Sequence, residues 1–215
     1  MTPGLILNKA EILREFAPLA SPPISSDTPI PNRIDRRDEM LPASDQRATS
    51  ECAAYSLAGI IESKVWRDTG VFKQIYPAPI YAEAKKHDGR PGPGTTLDAA
   101  LKAAVALGLM AAPKEVFAIF DRESYYRALH RYGFAHLAFN ITDAWSEPSA
   151  SGWLREDAHL PLIGGHAVAG CGYHRATGGW NAIQNSWSDG VGWHGFMRMK
   201  HAQFDRQFMY GLAWR

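Results

Sequence analysis

The sequence predicts an α+β chain of two lobes, a helical lobe and an antiparallel β-sheet lobe of barrel-like form, with a cleft between them. Two observations carry this. In the first half, apolar residues recur at helical spacing, and in the second half short apolar stretches are punctuated by glycine. Helices first and strands second put the helical lobe at about 45–115 and the β lobe at about 120–215 of one domain spanning 31–215. Residues 1–30 form a separate N-terminal segment, and no internal repeat is present.

The elements follow in order. "NKAEILREFAPLA", 8–20, opens with Asn8 and has Glu11 three residues later, the pattern of a capping box. Ile12, Phe16 and Leu19 then share one helical face, which is expected to dock on the body of the protein, the alternatives being the cleft, as a built-in inhibitor, or a partner. "SPPISSDTPIPNR", 21–33, holds four prolines and three serines and reads as an extended connector. Residues 51–66 read as a helix with Leu57, Ile60, Ile61 and Val65 as its stripe and Thr49 or Ser50 as its cap. "GRPGPGTT", 89–96, is a loop, and "LDAALKAAVALGL", 97–109, is a second helix with Gly108 as its stop signal. A third helix is expected at 122–131. "FAHLAFNI", "HAVAGCGY", "GWNAIQNSW" and "GFMRM" read as strands of one antiparallel sheet.

Composition narrows the function. Lys and Arg number 23 against 22 acids, so there is no electrostatic reason to expect nucleic acid or an anionic membrane as partner. No run of 18 apolar residues exists, so no membrane span is expected, and the start of the chain shows no signal-peptide pattern. The histidines make no metal-binding pairing with each other or with the two cysteines, and "GCGYHR" has Arg175 where a dinucleotide fingerprint needs its third glycine. No metal or cofactor is therefore expected. Two cysteines 119 positions apart make no disulfide framework, and free thiols fit the cytoplasm or another reducing compartment.

Cys52 stands at the mouth of the first predicted helix of the lobe. Unpaired backbone N–H groups and the helix dipole favour negative charge there, which lowers a thiol pKa and makes a thiolate nucleophile. Glu51 opposes this unless its side chain points to water. Cys171, in the middle of an apolar strand, reads as core.

The surrounding residues resemble the papain-like cysteine peptidases. Gln46 lies six residues before Cys52, as the family's oxyanion glutamine lies before its nucleophile. "GGHAVAGCGYH" places His166 on a strand ahead of Gly172 and Tyr173, and "QNSWSDGVGWHGFMRM" supplies Asn185, Ser186 and Trp187 followed by glycines and Phe196. "GTTLDAALKAAVALGLM" is similar to the family's cleft loop and its following helix. The blocks occur in the family's order and span about Pro31 to Met199.

The resemblance implies a papain-like fold and hydrolysis of peptide bonds by a Cys-His-Asn triad. Cys52 would attack the carbonyl, His166 would move the proton, and Asn185 would orient His166. Gln46 would donate to the oxyanion. Gly94 and Thr95 would pair with the substrate backbone, Trp187 would shield the Asn–His hydrogen bond, and Gly165 would stand beside His166 in the substrate cleft. Trp193 and His194 are expected at the rim. The implied partner is a peptide or protein substrate. A non-catalytic peptide-binding module, or a transferase or deamidase using the same cysteine, are the alternative readings, because function resides in the site rather than the fold.

Overall fold

The computed structural model describes residues 29–215, so the helix expected at 8–20 lies outside the described residues. The central helix, α1 (Cys52–Thr69), buries Ala53, Ala54, Leu57, Ala58, Ile60 and Ile61 along one side. It stops where Gly70 takes a left-handed φ of 70° and returns its N–H to Trp66. Neither Thr49 nor Ser50 caps it. Glu51 is the N-cap residue, without a side-chain bond, because the Thr49 hydroxyl donates instead to the Gln46 carbonyl at 2.8 Å. Two further helices complete this lobe. α2 (Pro77–Ala84) starts with proline at its first turn, and α3 (Leu97–Ala106) is capped by the Thr96 hydroxyl, which accepts from Ala99 N–H at 3.2 Å. Gly108, two residues past α3, has a φ of 65°.

The β lobe is a seven-stranded, wholly antiparallel sheet. Its strands are β1 (Arg33–Asp35), β2 (Val116–Ile119), β3 (Ala135–Ile141), β4 (Gly164–His174), β5 (Trp180–Gln184), β6 (Phe196–Lys200) and β7 (Phe208–Trp214). The order is β2-β7-β3-β4-β5-β6, with β1 added beside the far end of β4. The expected barrel-like closure does not form: β2 and β6 end the sheet without pairing to each other. Helix α4 (Arg122–Tyr132) starts in a reciprocal capping box between Asp121 and Ser124, and α5 (His201–Gln207) links β6 to β7.

Residue size explains the layering. On the face towards α1 the sheet offers Ala138, Ala167, Ala169 and Ala182, small enough for the helix to lie close. On the other face it offers Leu137, Phe139, Val168, Ile183 and Met197, which pack against Tyr125 and Leu129 of α4 and Phe204 of α5. The alternation along β3 and β4 sorts these two sets onto opposite faces. β4 is also the strand that carries the site, running from the cleft at Gly164 to the outer end at His174.

His136 of β3 is fully buried, and neither ring nitrogen completes a hydrogen bond, although the backbone of Ala53 lies beside it. Burial pushes its pKa down to about 3. As pH falls below ~6.5, the ordinary histidine value, the unfolded chain takes up this proton and the folded chain does not, so stability is lost with acid until about pH 3. His136→Leu is expected to remove about 2 kcal/mol of the stability difference between pH 7 and pH 5, measured by urea unfolding at both values. Equal pH dependence in variant and wild type would show that the histidine titrates freely.

Candidate active site

The cleft has a volume of about 570 Å³ and is lined from both lobes. Gln46, Cys52, Gly94, Thr95, Gly165, His166 and Trp187, seven of the eight residues singled out from the sequence, line it. The eighth, Asn185, lies buried behind His166.

The His–Asn pair is the best-defined contact. His166 Nε2 lies 2.7 Å from Asn185 Oδ1. The same oxygen accepts the Ser186 backbone N–H at 2.8 Å, which identifies it as an acceptor and assigns the proton to Nε2. In that neutral tautomer Nδ1 carries the free lone pair. Two indoles confine the imidazole. Trp187 is inclined 35° to it with ring centres 4.8 Å apart, and Trp145 stands nearly perpendicular at 6.0 Å. Trp145 had no role in the sequence reading, and its segment carries no motif that would have marked it.

Cys52 is the first residue of α1 and keeps partial exposure on the cleft. The backbone N–H groups of Ala167, Ala53 and Cys52 itself point to its thiol. Ala167 follows His166 on β4, so this contact brings helix start and histidine strand together. The electrostatics differ from the sequence expectation. Burial pushes the Cys52 thiol pKa up, and the three N–H groups only partly offset it. Burial likewise pushes His166 down to about 4 against the favourable Asn185 bond. Glu51 is not among the causes of the Cys52 shift; its charge acts on Tyr55 instead.

Gln46 is buried and fixed at both ends of its amide. Nε2 donates to the Thr49 carbonyl at 2.9 Å, and Oε1 accepts from the Ser186 hydroxyl at 2.6 Å. Its own backbone N–H donates to the Ser186 carbonyl at 2.8 Å. The Ser186 hydroxyl therefore sets which way the amide faces, and one N–H of Nε2 is left over. Ser186 belongs to the Asn-Ser-Trp block, but a hydroxyl's partner is not readable from a motif.

Gly94 has a φ of 85°, which favours glycine. Its N–H donates to the Tyr81 hydroxyl at 3.1 Å and its carbonyl accepts Lys85 Nζ at 3.0 Å. The Gly94 N–H is thus taken, while its carbonyl keeps a second lone pair. Thr95 lies beside it, buried at the cleft. Trp193 and His194 are exposed, and Cys171 is fully buried. Both cysteines are free thiols.

This exposure pattern makes a direct expectation. A small alkylating reagent applied to the native protein should label Cys52 and leave Cys171 unmodified until the chain is unfolded, as read by peptide mass mapping. Labelling of both at similar rates would contradict the burial of the β4 thiol.

No family model matches the sequence, and no curated protein matches it. Solved structures do. Xylellain, a cysteine protease from Xylella fastidiosa, superposes with a TM-score of 0.77 at 17% identity, covering 99% of this chain and 95% of that one. A procathepsin B from Trypanosoma congolense gives 0.72 at 15% identity, covering 100% and 86%. A procathepsin L 3 from the larval midgut of Tenebrio molitor gives 0.69 at 16%, covering 100% and 83%. By fold, the chain is a papain-like, two-lobed α+β protein.

Proposed function

We propose that the protein is a cysteine peptidase that cleaves peptide or amide bonds through a thioester on Cys52. The observation that carries the reading is the Nε2 contact of His166 with Asn185, which leaves Nδ1 to serve the thiol of the same cleft. The solved structures sharing the fold are described as cysteine proteases, which supports a peptide or protein as substrate. Free thiols are what this chemistry requires, and they fit a reducing compartment.

The steps follow from the chain's own groups. The thiol proton passes to His166 Nδ1 as sulfur attacks the carbonyl carbon. The oxygen gains negative charge and is met by the spare N–H of Gln46 Nε2 and by the Cys52 backbone N–H. As the C–N bond breaks, the imidazolium gives its proton to the departing amine, leaving the acyl group on sulfur. Water, deprotonated by His166, then attacks the thioester; the C–S bond breaks, the acid is released and the imidazolium proton returns to sulfur. Asn185 holds the ring through both halves. The Gly94 N–H is held by Tyr81, so a substrate N–H would pair with the second lone pair of the Gly94 carbonyl. The desolvation that pushes His166 down to about 4 disfavours a resting ion pair, so the helix N-terminus and the N–H groups around sulfur have to offset it.

Cys52→Ala is expected to abolish hydrolysis of a peptide library, with a melting temperature close to wild type. Activity surviving in that variant would exclude the mechanism. Gln46→Ala is expected to lower kcat/KM by roughly 100- to 1000-fold, the loss of one oxyanion donor. An unchanged kcat/KM would mean that the amide only braces the loop.

A further inference from the structure

Behind the histidine a buried line of polar groups runs from α5 to Trp145. Arg206 Nη2 lies 2.9 Å from Asp157 Oδ1 and also donates to the Asp157 carbonyl at 2.6 Å. Asp157 accepts the Thr142 hydroxyl at 2.7 Å and the Gln207 side-chain N–H. Gln207 Oε1 then accepts the Trp145 indole N–H at 2.6 Å. Asp157, Gln207 and Trp145 are 4%, 1% and 0% exposed, so bulk water offers little replacement for these bonds. The direction of the line is fixed. An acceptor on Asp157 forces the Gln207 amide to present its oxygen to the indole, and the reverse orientation would oppose two acceptors. Thr142 directly follows β3 and Asp157 lies in the later part of the connection to β4, so their bond also ties the start of that connection back onto the stretch leading into the histidine strand.

We propose that Trp145 and Gln207 are positioning residues for His166. The line of hydrogen bonds fixes the indole plane, and the fixed indole, perpendicular to the imidazole at 6.0 Å, stops that ring from turning out of line with Asn185 and Cys52. Trp187 alone, inclined at 35°, covers the ring without fixing its rotation. A reacting group has to be held within about 0.5 Å and 10–20° of its working geometry, which one hydrogen bond to Asn185 does not secure by itself. This inference rests on the reading of His166 as the proton-transfer group.

The test needs no substrate: the rate of Cys52 alkylation by iodoacetamide is followed from pH 5 to 9. Trp145→Phe keeps an aromatic ring and removes the N–H, and Gln207→Leu removes its acceptor. Both are expected to slow alkylation at pH 6 about fivefold or more and to shift the profile towards that of His166→Ala. Leu129→Ala, a buried α4 residue outside the cleft, should lower the melting temperature without moving the profile. If Gln207→Leu does not fold, Trp145→Phe decides alone. A Trp145→Phe profile superimposable on wild type overturns the inference, as does an equal shift in Leu129→Ala, while leaving the peptidase reading intact. A wild-type profile insensitive to His166→Ala removes both.

Discussion

The close approach of α1 to β4 is the constraint on which the site depends. A helix carrying large residues towards the sheet would stand off from it, and its first residue would not reach the strand that bears the histidine. Ala53, Ala54 and Ala58 on the helix meet Ala138, Ala167 and Ala169 on the sheet, so the separation stays small. The Ala167 N–H then points to the Cys52 thiol, one residue from His166. Larger side chains are moved to the opposite face, where Phe139, Trp145 and Phe204 fill the space behind the histidine. Close helix packing in front and aromatic bulk behind thus come from one alternation along β3 and β4.

The same burial sets the electrostatic problem. A thiol and an imidazole taken out of water both move towards their neutral forms, and here Cys52 is pushed up and His166 down. The chain counters with oriented dipoles in place of charged side chains: a helix N-terminus, three backbone N–H groups at sulfur and the Asn185 oxygen at Nε2. Glu51, the one charge next to Cys52 in sequence, does not enter the balance at sulfur. Dipoles fixed by secondary structure keep their direction when a substrate excludes water, which is the property an acyl-transfer site needs.

Much of this was legible in the sequence, and the boundary of legibility has physical causes. Helices α1, α3 and α4 show in the apolar spacing, and the four strands β3 to β6 in glycine-bounded apolar runs. The eight residues marked by the family resemblance come from short local motifs; seven of them line one cleft and the eighth contacts His166. Elements that begin without a signal were missed. α5 follows β6 directly, with Lys200 as a cap that makes no side-chain bond, and β7 follows α5 with no glycine or proline between them. α2 has two prolines, Pro77 and Pro79, and starts without a capping side-chain bond. The Ser186 hydroxyl that anchors Gln46 lies 140 residues away and the partners of Gly94 lie 9 and 13 residues away, which no motif specifies.

Under the proposed function, Cys52 carries the acyl group of a cleaved amide or ester. The most direct measurement is acid quenching of the protein during turnover of an activated peptide ester, followed by intact mass and peptide mapping. The account predicts a single acyl addition on the peptide containing Cys52, lost on re-exposure to neutral water and missing in Cys52→Ala. Product formation with no acyl group on Cys52, or acylation at another residue that persists in Cys52→Ala, would contradict it.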